Sequence, residues 1–287
     1  MCRNMLGISN ILARRVAGCL SALPNVETIA IAGSQTGGIV DAASDLDLYV
    51  YQTSEIPLVE RVAIVQKLGA SRADMNNLFW GPGDEWVDAA TGIGVDVVYW
   101  DVRWMEEQID RVLVRHQASV GYTTCFWGTV LHSVALYDKN GWFRALQERS
   151  SQPYPEELRR AIVAYNHPIL RRVIPAYLYQ IQKAIRRNDL VSVNHRVAAL
   201  LASYFDVLFA LNRVPNPGEK RLVQIATQRC ANVPAGMARQ VEDVIRAASD
   251  ADERLVARIE VLVDGLDELM CAEGFDPETS LPAAGAR

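Results

Sequence analysis

The chain has 287 residues, enough for two modest domains, and half of its residues are hydrophobic. A formal charge of −5, from 34 acidic and 29 basic residues, provides no overall field for a polyanion and argues against a nucleic-acid partner. The five cysteines have no paired spacing, and no run of about 18 apolar residues or secretion signal is visible, so we expect a cytoplasmic protein with no disulfide framework and no membrane partner.

The first half of the chain mixes helical and β-prone patterns. Apolar residues recur at helical spacing from Met5 to Leu20, and β-branched and aromatic residues are concentrated in short runs further on. In chain order, the patterns predict a helix at 5–20, strands at 28–32 and 46–51, a helix at 57–69, two extended runs within 85–100, a helix at 102–115, a strand at 133–137 and a helix at 141–149.

Beyond a turn-rich stretch at 150–155, helical periodicity dominates. The predicted helices span about 156–187, 189–213, 219–229, 236–249 and 252–272. Pro168 and Pro175 should divide the first of these, because proline lacks an amide donor. The sequence therefore predicts an α+β protein with a mixed-sheet domain over residues 1–150 and an all-helical domain over residues 151–287.

Three acidic residues stand out on the predicted strands. Asp45 and Asp47 are two residues apart at the start of a strand, so their side chains share one face with Cα atoms about 6–7 Å apart. Asp96 is the only charged residue in the apolar run 93–100. If the two strands are neighbours, the carboxylates converge and can hold two metal ions; a different register would put Asp88 or Asp101 in the third place.

A glycine-containing loop precedes the first two of these acids. Gly33 and Ser34 follow a predicted strand, where free backbone amides and a hydroxyl can contact an anion and glycine allows its close approach. Gly37 and Gly38 add further freedom to the loop. The loop and the carboxylates together indicate binding of a phosphate-bearing ligand through a divalent cation.

The combination resembles a known superfamily. Gly-Ser, ten intervening residues, Asp-Leu-Asp-Leu at 45–48 and a distant apolar-Asp-apolar strand are similar to the DNA polymerase β type nucleotidyltransferases. Within that superfamily, the bacterial aminoglycoside and lincosamide nucleotidyltransferases, which have an all-helical second domain, fit best. The match covers the first 100 residues well, and the remainder fits only in class.

The resemblance implies an activity and a set of roles. Residues 1–150 would form the catalytic domain and residues 151–287 a substrate-binding or lid domain. Gly33 and Ser34 would contact the triphosphate, while Asp45, Asp47 and Asp96 would be the catalytic metal ligands, with Asp96 also helping to activate the acceptor hydroxyl. The implied cofactors are two Mg²⁺ ions, with Mn²⁺ as an alternative, and the donor is an NTP, with ATP favoured.

Two features bear on how far the resemblance extends. Many members of this branch have arginine at the position of Gly37, so a phosphate-neutralising contact is missing or comes from elsewhere. Lys220 resembles the lysine that comparable helical domains place against nucleotide phosphates. The predicted helix after Asn188 carries a polar stripe that we expect to face a cleft, and its Asp206 is an alternative to Asp96 as general base.

Three functions are consistent with these residues. The first is metal-dependent transfer of a nucleoside monophosphate from an NTP to a hydroxyl of a small molecule. The second is adenylylation of a protein acceptor, in the manner of antitoxin-like nucleotidyltransferases. The third is a catalytically inactive module that senses nucleotide. The acceptor, the NTP and the oligomeric state are not specified by the sequence.

Overall fold

The computed structural model describes residues 2–31, 45–79 and 81–278, with only the backbone described for residues 2–8. The chain forms two compact units, and neither is continuous in sequence. The first unit comprises Met1–Asp110 and Thr129–Gln152, and the second comprises Arg111–Gly128 and Pro153–Arg287.

A six-stranded mixed sheet forms the centre of the first unit, within the described ranges. The strands are β1 (Val26–Ile31), β2 (Leu46–Gln52), β3 (Ala70–Asn77), β4 (Gly83–Asp88), β5 (Gly94–Asp101) and β6 (Val134–Asp138). They are ordered β3-β4-β5-β2-β1-β6. Strands β2 and β5 are parallel, and every other neighbouring pair is antiparallel. The central parallel pair brings together the two strands that carry the predicted metal ligands.

Helices pack against one face of this sheet and against one end of the other face. Helices α1 (Cys2–Leu20) and α2 (Leu58–Leu68) pack their apolar residues against the face that carries Leu48 and Val97. On the other face, the Tyr51 ring contacts Trp142 and Phe143 of α5 (Trp142–Ser150), with ring centroids 5.2 Å apart in each case. Tyr51 is fully buried, so this end of the second face is also part of the core.

A buried ion pair ties α2 to strands β3, β4 and β5. The Arg61 guanidinium donates to Asp84 Oδ1 at 2.7 Å, and both side chains are almost fully buried. Asp84 also accepts from the Tyr99 hydroxyl at 2.8 Å and from the Asn76 backbone N–H at 2.8 Å. These donors satisfy a carboxylate that would otherwise be costly to bury.

The second unit is helical in all of its described secondary structure. Its helices are α6 (Glu156–Asn166), α7 (Pro168–Arg171), α8 (Tyr177–Arg186), α9 (Leu190–Leu211), α10 (Leu222–Arg229), α11 (Met237–Ala247) and α12 (Glu253–Ala272). The division between the units falls within α3 (Val102–Leu113) and α4 (Cys125–His132). Most of α9 is buried in the core of this unit, from Ala202 through Leu211.

The α+β fold class predicted from the sequence is confirmed, as is division of the first long helical run by Pro168 and Pro175. Strand β3 and helix α4 were not predicted. The β3 sequence is ASRADMNN, and most of its residues are exposed at the sheet edge, so it lacks the apolar alternation of a typical strand. No helix among the described residues is long and apolar enough to span a membrane.

Candidate active site

A row of four acidic residues crosses the sheet from β2 to β3. Asp47 pairs with Asp96 across the parallel strands β2 and β5, Asp96 pairs with Glu85 of β4, and Glu85 pairs with Asp74 of β3. Residues that pair across adjacent strands carry their side chains on the same face. The strand register therefore brings four carboxylates to one face, and we call this set the acidic row.

The burial pattern shows which face this is. Leu46, Leu48, Val95 and Val97, the residues that flank Asp47 and Asp96 in sequence, are buried on the opposite face. Asp47 and Asp96 themselves are partly exposed. The strand alternation expected from the sequence is thus present: one face packs in the core, and the other presents carboxylates.

Like charges on neighbouring strands repel, so the row needs donors or cations to offset this cost. At its outer end, Arg72 forms an exposed ion pair with Asp74 at 3.3 Å. Glu85 accepts from the Asn77 side-chain amide at 3.2 Å. A divalent cation near the inner members would reduce the repulsion further.

Asp45 lies one strand repeat before Asp47 and is placed by a glycine. Gly94 precedes Asp96 by the same two residues, and a Cβ atom at Gly94 would lie 2.9 Å from Cγ of Asp45. The carboxyl group of Asp45 therefore occupies the space of the missing side chain. This places all three predicted acids, Asp45, Asp47 and Asp96, on or beside the same two paired strands.

Aromatic rings continue along the same face. Tyr49 follows Asp47 by two residues, and its ring centroid lies 4.3 Å from that of Trp100. Trp104, in the first turn of α3, is 6.1 Å from Trp100 by the same measure, and its side chain is exposed. The face thus changes from acidic to aromatic along β2 and β5.

The alternative acids have other partners. Asp88 is buried and forms an ion pair with Arg15, and it also accepts from the Thr91 hydroxyl at 2.7 Å. Asp101 accepts from the backbone N–H groups of Arg103 and Trp104 at 2.8 and 3.0 Å, so it caps the start of α3. Neither residue belongs to the acidic row.

The donor chemistry suits an oxygen-preferring cation such as Mg²⁺. Among the residues that the structure describes, however, no group of three or more His, Cys, Asp or Glu residues is close enough to hold a metal ion. Gly33, Ser34 and Gly37 lie outside the described residues. The predicted two-metal site and its phosphate-binding loop remain predictions.

Two candidate residues from the sequence, Lys220 and Asp206, lie in the second unit. Lys220 is exposed, just before α10. Asp206 is fully buried inside the second unit, as is its neighbour Ser203 on the same helix. The polar stripe of α9 was expected to face a cleft. That expectation is wrong for Ser203 and Asp206, because both side chains are buried within the unit. Burial raises the pKa of Asp206 to about 6, against the lowering effect of hydrogen bonds from Thr123 and Asn216.

Glu85 and Asp74 were not anticipated from the sequence. Glu85 lies in a predicted extended run, but its relation to Asp96 depends on the register of an antiparallel pair. The alternation of Glu85 with the buried Asp84 and Trp86 is the one local signal that it faces away from the core. Asp74 lies on the strand that sequence patterns did not predict.

Comparison with known proteins adds three findings. A family model described as a domain of unknown function, DUF4037, matches residues 128–222, about a third of the chain. No curated protein matches the chain. Among solved structures, the chain is similar to a nucleotidyltransferase-like protein from Exiguobacterium sibiricum 255-15, with a TM-score of 0.42 and 13% sequence identity, over 92% of this chain and 74% of that one.

Proposed function

We propose that this chain is a nucleotidyltransferase that moves a nucleoside monophosphate from an NTP to a hydroxyl of a small molecule. The observation that carries the proposal is the pairing of Asp47 with Asp96 across parallel strands, on a partly exposed face. A carboxylate on an otherwise apolar strand costs free energy unless donors or a cation offset its desolvation. Two such strands side by side favour a cation-dependent site.

In this proposal, Asp45, Asp47 and Asp96 would hold two Mg²⁺ ions, with Mn²⁺ as an alternative. Bound metal would neutralise charge on the triphosphate and lower the pKa of the attacking hydroxyl. Glu85 is the next carboxylate in the acidic row and is a further candidate ligand. Gly33 and Ser34 would supply amide and hydroxyl donors to the phosphates.

The reaction is an in-line displacement at the α-phosphorus. The acceptor oxygen forms a bond to that phosphorus, the α–β phosphoanhydride bond breaks, and pyrophosphate leaves with the bonding electron pair. The hydroxyl proton passes to a base. We assign this role to Asp96 rather than Asp206, because Asp96 is partly exposed on the acidic row whereas Asp206 is buried among donors.

ATP is our favoured donor, on the resemblance of the Gly-Ser and Asp-Leu-Asp stretch to the nucleotidyltransferase superfamily. The formal charge of −5 favours an acceptor with positive charge. A nucleic-acid acceptor is disfavoured for the same reason. A protein acceptor is the second candidate and is distinguished by the experiment that follows.

The test uses ATP, GTP, CTP and UTP labelled at the α-phosphate, with Mg²⁺ or Mn²⁺ and a panel of hydroxyl-bearing small molecules and proteins. We expect label on a small molecule with wild type and none with Asp47→Asn/Asp96→Asn. The matched control, Asp101→Asn, removes one carboxylate that caps α3 and should retain transfer. Label on protein alone would favour protein adenylylation.

Nucleotide binding with metal but without transfer to any acceptor would favour a nucleotide sensor over an enzyme. If wild type binds neither nucleotide nor metal, or if the double variant transfers label as well as wild type does, the proposal is wrong. Equilibrium binding of Mn²⁺ to each variant separates these outcomes, because it is measured without an acceptor.

A further inference from the structure

A second cluster of polar residues lies inside the second unit, apart from the acidic row. Asp206 of α9 is fully buried and accepts hydrogen bonds from residues of three other segments. The Thr123 backbone N–H donates to its Oδ1 at 3.1 Å, the Asn216 side-chain amide donates to the same oxygen at 3.0 Å, and the Asn166 amide lies 3.4 Å from Oδ2.

These bonds hold a constrained stretch of backbone. Tyr122 has a positive φ of 52°, which is uncommon for a residue with a side chain, and Gly121 beside it has a φ of 69°. The Gly121 N–H donates to Asn166 Oδ1 at 2.9 Å. Asp206 and Asn166 therefore anchor the turn at residues 121–123 from two sides.

The Thr123 hydroxyl can both donate and accept hydrogen bonds within the cluster. Its oxygen lies 2.6 Å from Asp206 Oδ2 and 3.2 Å from the Ser119 carbonyl oxygen, and it accepts from the Ser119 N–H at 3.1 Å. A hydroxyl has one proton to donate. It can thus donate to Asp206 or to Ser119, but not fully to both.

This geometry satisfies the carboxyl group in either protonation state. When Asp206 is ionised, the Thr123 hydroxyl donates to it. When Asp206 is protonated, its O–H can donate to the Thr123 oxygen, and the Thr123 proton can turn to the Ser119 carbonyl. The Asn166 side-chain amide lies 2.9 Å from the Ser119 carbonyl oxygen. That oxygen therefore has a donor whether or not the Thr123 hydroxyl also donates to it.

We infer that Asp206 takes up a proton while the second unit stays folded, and that the Thr123 hydroxyl reverses its hydrogen bond when this happens. The cluster is then a proton-binding element built into the fold, and it is independent of the proposed nucleotidyl transfer. The turn at 121–123 remains anchored in both states, since the amide donors from Thr123, Asn166 and Asn216 persist.

The ionisable groups near Asp206 define the conditions for proton uptake. Arg111 lowers the pKa of Asp206 through its charge, whereas burial raises it to about 6 and is the larger effect. Burial is the main cause that raises the pKa values of Tyr122, Cys125 and Tyr154, and the charge of Asp206 raises all three further. Glu219 also contributes at Tyr122. These three groups stay neutral near pH 6, so Asp206 and Arg111 are the groups that matter there.

The test is the infrared carbonyl stretch of a protonated carboxylic acid in folded protein between pH 7.5 and pH 5, with amide hydrogen exchange measured on the same samples. We expect the band to grow in as the pH falls, to be absent in Asp206→Asn, and to appear while the Thr123 and Gly121 amides stay protected. Thr123→Val should move the band to higher frequency, because the acid then has no hydroxyl to donate to. Thr123→Ser, the matched control that keeps the hydroxyl, should leave it in place.

Two results would overturn the inference. In the first, no carboxylic acid band forms in wild type above pH 5, or the band persists in Asp206→Asn. In the second, the band forms only as the Thr123 amide loses its protection, which would show that proton uptake requires the turn to open. If Asp206→Asn does not fold, the wild-type titration and the comparison of the Val and Ser variants still decide the matter. All of these readouts are independent of catalysis.

Discussion

The carboxyl group of Asp45 lies against the backbone of Gly94, in the space that a side chain at position 94 would need. This contact joins the first predicted metal ligand to the strand that carries Asp96. A larger residue at position 94 would make the Asp45 side chain shift from this position.

Gly94→Ala tests that relationship. A Cβ atom at this position would be too close to Cγ of Asp45, at 2.9 Å, so we expect Asp45 to move and Mn²⁺ binding and nucleotidyl transfer to fall by about tenfold, equivalent to about 1.4 kcal/mol. Gly18→Ala is the control, since a Cβ there has nothing within 4 Å and lies in helix α1. Equal losses in both variants would contradict the role of Gly94.

The acidic row predicts that the importance of a carboxylate declines with distance from Asp96. We expect Glu85→Gln to reduce transfer by about tenfold, because Glu85 pairs directly with Asp96. Asp74→Asn should change transfer by less than about twofold, since Asp74 is exposed and already paired with Arg72. Steady-state rates at saturating Mg²⁺ would measure both. A larger loss in Asp74→Asn than in Glu85→Gln would contradict this order.

The buried pair Arg61–Asp84 should matter for stability. Asp84→Asn leaves the Arg61 guanidinium buried without its partner charge, so we expect the free energy of unfolding to fall by about 3–5 kcal/mol. Urea unfolding would measure this loss of stability, with hydrogen exchange of the β4 and β5 amides as the readout for the first unit. Arg72→Gln, which removes an exposed ion pair at the sheet edge, should change stability by less than about 0.5 kcal/mol.

The raised pKa of Asp206 gives the second unit a characteristic pH dependence. The folded state binds this proton more tightly than the unfolded chain does, so the contribution is full below about pH 4 and is lost as the pH rises through about 6. The difference amounts to about 3 kcal/mol. Asp206→Asn does not titrate, so its stability relative to wild type should increase across this window. Unfolding measured at half-unit pH steps would show the difference, and parallel curves would contradict it.

Asp267 should give a pH dependence of stability opposite in sign to that of Asp206. Burial alone would raise its pKa, but hydrogen bonds from His167 at 2.6 Å and Arg171 at 2.6 Å outweigh burial and lower it. Its contribution is therefore present above pH 4 and is lost as the pH falls through its folded pKa. We expect Asp267→Asn to lower the stability at pH 7 by about 1–3 kcal/mol. The control, Asp264→Asn, removes the more exposed partner of the same Arg171 and should cost less than about 1 kcal/mol.

The sequence predicted the strands whose apolar residues are buried, because burial imposes the alternation that a pattern can reveal. Strands β2 and β5 and the Asp47 and Asp96 positions follow from that alternation, and β1 follows from its continuous apolar run. Strand β3 was missed because it is a polar edge held by pairing to β4 rather than by its own apolar face. Glu85 was missed because register, and therefore its position beside Asp96, is a property of two strands and not of one.

The second unit shows a similar limit. Helix periodicity placed α9 correctly but suggested that Asp206 faces a cleft. The residues that satisfy it, Thr123 and Asn216, are 83 and 10 positions away in sequence. A polar residue on a helix therefore predicts exposure only when no distant segment supplies its donors, and local periodicity contains no information on that point.

The acidic row crosses the strands instead of following one of them, and this has a consequence for its shape. Neighbouring strands in a sheet are rotated by about 20° relative to each other, so over the three steps from Asp47 to Asp74 the side-chain directions fan out by about 60°. Asp47 and Asp96, one step apart, differ by about 20°, and Asp74 is exposed beside Arg72. The row therefore follows the twist of the sheet, and Arg72 offsets the charge of the end that carries Asp74.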